Sequence, residues 1–492
     1  MQDRWERVMI KGLLGSIGAC LAAAGLAFGG DPPAKLGWPE IAVDQVQDSA
    51  VGPNPAGGLQ QPPEKEKPKE EMLPKPLQPP DPMTGYPATA EMDAGMMQRN
   101  GTKVDLRDYH CGPDERFWAR GDYVHWWTKR GPLHVPLVAT GIADPNFSAV
   151  PSTVLFGGQG LDYRSRSGGL LTLGLWLDEQ HITGFEASGF LLEKPRIAFA
   201  ANSPDGSLVL ARPFFAAEQN LVPQNSALLI AFPNILAGGV TISSTSRFWG
   251  AEANFARNVA HHCGWDVNLL FGFRYLSLDE HLLINQSSTV LQSQAPGVVT
   301  GIIGPGNQLL SLGDAGSTVN ITDTFGTQNN FYGAQIGTRI GYRSGMWTVE
   351  VQTKVAMGPT HEGLNVFGST QQNIVLNGPP PSASSSNATA GFLALATNSG
   401  HDRTNWFSVV PEVGINLGCQ VSSHVRALAG YNFLYMNSVI RPGNQVNLNI
   451  NRAFLPTISQ PGSATNIAEP SKLFKQNEFW AHGVNFGMLI SF

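Results

Sequence analysis

From Arg116 to the C-terminus, apolar residues recur at every second position in stretches of about ten. In "GWDVNLLFGFRYLS", Trp265, Val267, Leu269, Phe271, Phe273 and Tyr275 share one face. Asp266, Asn268, Gly272 and Arg274 share the other, with Leu270 and Leu276. "MWTVEVQTKVAMG" sets Trp347, Val349, Val351, Thr353, Val355 and Met357 against Thr348, Glu350, Gln352 and Lys354. "NFYGAQIGTRIGYRSG", "NWFSVVPEVGINLG" and "HVRALAGYNFLYM" alternate in the same way. Period two predicts strands, near 117–128, 168–178, 182–192, 247–257, 265–276, 331–342, 347–358, 406–417, 424–436 and 479–492. Residues 194–246 hold a further candidate hairpin, "SLVLARPFFAA" and "SALLIAFPN", which would raise the count from ten to twelve.

Alternation alone also fits a soluble sandwich with one wet face. Three features select a membrane barrel. Several apolar faces begin or end in Trp or Tyr, as an interfacial girdle requires. The opposite faces combine Gly with Arg, Glu, Lys, Asn and Gln, as a crowded polar lumen would. Links between strands alternate short and long: 178–181, 258–264, 342–346 and 417–424 are short, whereas 278–320, 359–403 and 437–477 are long. Tight periplasmic turns and long outer loops give that asymmetry. The predicted fold is all-β: a transmembrane antiparallel up-and-down β-barrel of about 10–12 strands, even in number. Cys111, Cys263 and Cys419 then fall on the periplasmic side, where any two could pair.

Composition agrees. Charged residues are 14%, against about 25% in soluble domains. The hydrophobic fraction is an ordinary 42%, and the net charge of −6 points away from a nucleic-acid partner. The one long apolar run, "LLGSIGACLAAAGLAFGG", follows Arg4, Arg7 and Lys11 and reads as a secretory signal peptide over 1–29. A retained anchor, or lipidation at Cys20, are the competing readings. Residues 30–112 are rich in Pro, Glu, Lys and Gln and cannot bury a core, so a disordered Pro-rich periplasmic linker is expected there. The barrel is expected over 113–492.

Little in the chain suggests catalysis. His261, His262 and Cys263 are adjacent but lack the further ligands of a zinc site. Asp178–Glu179 and Asp279–Glu280 sit at strand ends, where solvated charge is ordinary. No nucleophile elbow or Walker loop occurs. His482 is placed outward, in an interfacial belt. No catalytic, cofactor-binding or metal-binding residue is assigned. The expected lumen-lining set is Asp266, Arg274, Arg339, Glu350, Lys354, Glu412 and Arg426. These residues would either line a permeation path or pair and fill the barrel. Ten to twelve strands lie close to the filled limit, which argues against a wide pore.

The segment from "RFWARGDYVHWW" (116–127) to Phe492 resembles a planctomycete family of outer-membrane beta-barrel porins, the seventh so labelled. "LARPFF" (210–215), "GAEANFARN" (250–258), "GWDVNLLFGFRYLSLDE" (264–280) and the aromatic C-terminus carry the resemblance. It implies an outer-membrane barrel, with pore activity as the expectation. The first functional reading is a narrow passive pore for small polar solutes. Alternatives are a structural or adhesive surface barrel with a plugged lumen, and a secreted glycan-binding β-sandwich. Expected partners are outer-membrane lipids, small polar solutes and the outer-membrane insertion machinery. Phe492 is the expected assembly signal for that machinery.

Overall fold

The computed structural model describes residues 116–143, 149–217, 224–262, 264–292, 302–303, 313–456 and 467–492. The expected signal peptide and linker, together with Cys111 and Cys263, lie outside those residues. Cys419 is half-buried, opposite Trp347.

Ten strands follow from the alternating stretches: β1 (Phe117–Thr128), β2 (Ser165–Trp176), β3 (Thr183–Leu192), β4 (Leu236–His262), β5 (Trp265–Val290), β6 (Thr318–Ser344), β7 (Trp347–Leu376), β8 (Gly400–Gln420), β9 (Val425–Ile440) and β10 (Gln476–Ser491). Each pairs antiparallel with the next in chain order, and β10 pairs with β1. The pairings therefore run in a ring, the arrangement that satisfies strand backbones in hydrocarbon. Every strand expected from the alternation is a member. The ends of the ring meet at Phe492, whose N–H donates to the Phe117 carbonyl at 2.8 Å, and the Phe117 N–H donates back at 3.3 Å.

The outward face is apolar between two aromatic levels. Near the short turns, the Trp265 and Tyr342 rings lie 4.5 Å apart. Near the long loops, Trp249, Tyr275, Tyr332 and His361 form a chain of rings at 5.0, 4.9 and 5.3 Å. About ten residues of β5 or β6 separate the levels, roughly 33 Å along a strand and about 25 Å along the normal at the usual tilt. That height matches the apolar band of an outer-membrane barrel. No helix among the described residues is long and apolar enough to cross a membrane, a finding that does not bear on spanning strands.

Strands β4 to β7 continue well beyond the upper aromatic level, and there their polarity inverts. Below Tyr275, the even positions of β5 include Asp266, Asn268 and Arg274; above it they include Leu276, Leu278, Leu282 and Ile284, all buried. On β6 the inward Arg339 and Gln335 give way to Phe331, Phe325, Ile321 and Val319. The outward positions become Asn330, Gln328, Thr324, Thr322 and Asn320. Much of 278–320 and 359–403, expected as loop, is therefore strand. Ser, Thr, Asn and Gln replaced the apolar outward face and hid the period.

These extensions enclose a head built on a second sheet. Its strands are Pro136–Ala143, Ala149–Gly157, Leu210–Ala216 and Gln224–Ala231, with Ile302–Ile303 at one edge and Asn449–Ile450 added in parallel. The candidate hairpin of 194–246 lies here and not in the ring, so the ring has ten strands and not twelve. The physical reason is burial on both faces: Ala227 through Phe232 are all buried, as a continuous apolar run requires. One core joins this sheet to the inward residues Val240, Ile242, Leu282, Ile284, Ile321 and Val366 of the extended ring strands.

Candidate functional site: the barrel lumen

The inward faces stack in layers. Nearest the short turns, Arg120 donates to Asp122 at 2.7 Å and to Asn416 at 2.9 Å. Asn485 donates to Asp122 and to Asn416, both at 3.2 Å. Arg339 holds Glu186 through two contacts of 2.6 and 2.8 Å, and Glu350 lies 3.9 Å from Arg339 and 4.0 Å from Arg120. Asp266 accepts from Asn268 at 2.8 Å, and Arg426 donates to Gln420 at 3.0 Å.

The next layer is a square of alternating charge. Strand register puts Arg274 directly opposite Glu252 and Lys354 directly opposite Glu412. Along the wall, Lys354 Nζ lies 3.3 Å from Glu412 and Arg274 pairs with Glu252; across the lumen, Lys354 Nζ reaches Glu252 at 2.6 Å and Arg274 reaches Glu412 at 2.6 Å. Gln335 donates to Asn254 at 2.7 Å beside it. Gly272 makes this crossing feasible: a Cβ there would sit 2.2 Å from Asn254 Oδ1. Over these two layers, cations Arg120, Arg274, Arg339, Lys354 and Arg426 face carboxylates Asp122, Glu186, Glu252, Asp266, Glu350 and Glu412. Such near-balance keeps ions tolerable away from bulk water.

Above the square lies a cavity of about 40 Å³, lined by Trp126, Leu170, Phe190, Leu276 and the four square residues among others. Trp126 and Arg274 each carry a buried donor without a hydrogen-bond partner. An apolar layer then closes the lumen: Val124, Trp126, Phe248, Leu276, Leu278, Phe331, Val410, Leu434, Met436 and Phe479 are buried together. Phe248 and Phe479 meet edge to face with ring centroids 4.9 Å apart, and Phe190 packs on Phe248 at 5.1 Å.

A last polar pair lies over this seal. Arg441, fully buried, grips Glu280 at 2.6 and 2.7 Å and donates to the carbonyls of Lys129 and Arg130. Burial alone would raise the Glu280 carboxyl, but the guanidinium of Arg441 outweighs it and holds the group below the usual carboxylate range. Beside it, Arg166 donates to Ser246 at 2.9 Å, and burial lowers its pKa to about 10.

All seven residues expected in the lumen have inward positions, and six of them join or adjoin the charge network; Arg426 sits apart on Gln420. Sequence reasoning missed Glu186, Glu252, Arg120 and Asp122. Each occupies the inward phase of an alternating stretch, so strand phase was the signal. Glu252 was visible within "GAEANFARN", opposite Ala251, Ala253 and Phe255. His261 and His262 end β4, exposed, and His482 stacks outward between Trp127 and Trp480.

Residues 118–492 match the family model described as "Putative beta barrel porin-7 (BBP7)". No curated protein matches the chain. Among solved structures, a Pseudomonas aeruginosa FadL homologue is similar at 7% identity and a TM-score of 0.19, over 76% of this chain and 90% of that one. The toluene transporter TodX of P. putida is similar at 9% identity and a TM-score of 0.18, over 77% and 91%. At such TM-scores neither likeness carries an argument.

Proposed function

This chain belongs to the beta barrel porin-7 family, and from that premise we propose that it is an outer-membrane barrel with a gated passage for small polar solutes, shut in the conformation described. The layering of the lumen carries the reading. A charged, cross-linked half leads from the short turns to a small cavity, and an apolar layer closes that cavity off from the Arg441–Glu280 pair and the head core above it. Sliding a permanent seal of Phe, Leu and Met over an ion-pair network is not needed to fill a barrel, since apolar side chains alone fill space at less desolvation cost. The polar half therefore suits ions and small polar solutes, and the apolar layer suits a hydrophobic gate.

Planar-bilayer recording of the purified protein tests this. Wild type is expected to be closed most of the time with rare, small steps. Phe331→Ala combined with Leu276→Ala thins the seal and should raise the open fraction at least tenfold, with heat-modifiable gel mobility showing that the barrel is still folded. A folded seal variant that stays silent across salt and voltage would defeat the gated pore. The second reading would then stand: a plugged surface barrel that anchors the head, which is favoured by the core the head shares with the extended ring strands.

A further inference from the structure

If the lumen is gated, part of the wall or its filling must move. The ring has one seam where two strands run on after their ladder has stopped. β8 pairs with β7 from Cys419↔Trp347 all the way to Gly400↔Val366. With β9 it pairs only from Gln420↔Arg426 to Glu412↔Leu434. β9 itself continues beside β10 to Ile440↔Gln476, through a register shift between Met436 and Val439. Residues 400–411 of β8 and 435–440 of β9 are thus neighbours without a ladder between them.

The residues at the seam explain the break. Pro411 sits immediately beyond the last pair and has no N–H to offer. Side-chain links take the place of the ladder, and Asn329 of β6 holds the far end of β9, accepting the Ile440 N–H at 2.7 Å and donating to its carbonyl at 2.9 Å. On the outside, exposed Asn437 accepts the Val409 N–H at 3.0 Å. On the inside, Glu362 of β7 accepts from Ser438 at 3.1 Å and from Gln476 at 3.2 Å, spanning the seam from β7 to β9 and β10. The seam also carries the seal: Val410 on one flank, and Leu434, Met436 and Val439 on the other, are all buried in the apolar layer. Farther along β8, Trp406 and Phe407 are exposed, at 50% and 67%.

We propose that the β8–β9 seam is the moving part of the gate: β8 beyond Pro411 parts from β9, breaks the Asn437 and Glu362 links, and withdraws Val410 from the seal. This rests on the gated-pore reading. It goes further in naming the wall element that opens, and in predicting that the remaining ladders stay intact while it does. A hydrogen-bonded ladder separates cooperatively and slowly, whereas isolated side-chain links separate locally.

The test is a reversible lock in the full-length protein with its native cysteines replaced by serine. Val409→Cys with Asn437→Cys spans the seam; Tyr431→Cys with Val484→Cys, directly opposite each other on β9 and β10, is the control. Oxidation of the seam pair should abolish the conductance steps and reduction should restore them, while oxidation of the control pair changes nothing. Amide hydrogen exchange in detergent should be at least tenfold faster over 400–411 than over 425–434 in the reduced protein and should slow on locking. Steps that persist with the seam disulfide verified by mass would overturn the seam and leave the pore standing. Equal exchange over the two segments would also overturn it. Silence in every form, reduced and with the Phe331 and Leu276 seal thinned, would defeat the pore reading and the seam with it.

Discussion

The same four strands, β4 to β7, pass through two environments, and the residues on each face change places at the boundary. Below the upper aromatic level, β6 puts Ile336 and Ile340 outward and Gln335 and Arg339 inward. Above it, the outward row is Thr324, Thr322 and Asn320, and the inward row is Phe325, Ile321 and Val319. The backbone and its register run on unchanged through the inversion. Only the solvent outside differs. In hydrocarbon the apolar side chains are solvated on the outside and the interior is left for polar groups. In water the hydrophobic effect drives them inside, and the head acquires a core. A strand's period specifies its geometry, but which face is apolar reports what surrounds it.

The comparison is broken most severely at the charge buried between the two regions. Arg441→Met takes from buried Glu280 its hydrogen-bonded cation and leaves only Arg166 nearby, a change that costs about 3 kcal/mol, the low end for a broken buried pair. Because Arg441 also holds the backbone of residues 129 and 130, the head should loosen while the ring survives. Protease cleavage of the head, with the heat-modifiable gel shift of the ring retained, would register this. Adding Glu280→Leu should recover part of the loss, since the buried carboxylate is then gone and only Arg166 is left charged at the site. Acid should mimic the mutation. The folded Glu280 pKa lies below its unfolded value, so the contribution of the pair is complete above the unfolded pKa and disappears as pH falls through the folded one.

The inversion itself can be measured with one substitution made at two heights. Ile336→Lys puts an ammonium near the middle of the apolar band and should cost about 2–4 kcal/mol in folding equilibria run in bilayers. Asn320→Lys, outward and exposed on the same strand, should stay within about 0.5 kcal/mol. Equal costs at the two positions would mean that the aromatic levels do not mark the membrane.

Within the ring the lumen square offers a subtler contrast. Lys354→Met removes one of its two cations and leaves Glu252 and Glu412 sharing Arg274 alone. Under the gated-pore reading, openings should shift towards cation selectivity by a few-fold, seen as a displaced reversal potential in a salt gradient. Glu350→Ala, farther from the square and nearer the short turns, should shift selectivity in the opposite direction and by less. Unchanged reversal potentials in both would mean that these side chains fill the lumen without lining any path.

Much of this was legible in the sequence, and the limits have physical causes. All ten ring strands followed from alternation, because a lipid-facing row admits few polar residues and so keeps a clean period. Strand phase gave seven inward residues, and the same phase, followed along the other stretches, would have added Arg120, Asp122, Glu186 and Glu252. What escaped was the upper third of the molecule. There the outward row is Ser, Thr, Asn and Gln, a composition shared with surface loops, so 281–290 and 318–330 read as connections. The hairpin at Leu210 and Ala227 was visible as strands, but a continuous apolar run does not say which sheet buries it. Neither Arg441–Glu280 nor the β8–β9 seam is inferable from spacing, because each depends on which distant strands become neighbours. Pro411 was the one local sign of the seam, and only the register gave it a meaning.

The smallest effect sharpens the contrast between charge in the interior and charge at the rim. Arg116 and Glu179 approach to 2.5 Å at the short-turn end, a spacing much like that of Arg441 and Glu280. Geometry alone would rank the pairs as equals. Solvent separates them: the Arg116 and Glu179 side chains are 48% and 84% exposed, whereas those of Arg441 and Glu280 are 0% and 1% exposed. Water and salt screen the first pair, and holding two long side chains together costs rotamer entropy, so Arg116→Ala should cost at most about 1 kcal/mol. That small cost should vanish at high salt, because the Debye length at 1 M is only about 3 Å. The loss caused by Arg441→Met should persist there, since a desolvated pair is out of reach of mobile ions. Measuring both variants in low and high salt therefore separates the regions with one instrument. If the Arg441→Met penalty fell with salt as the Arg116→Ala penalty does, the junction between ring and head would be wet, and the seal below it would be the only barrier in the lumen.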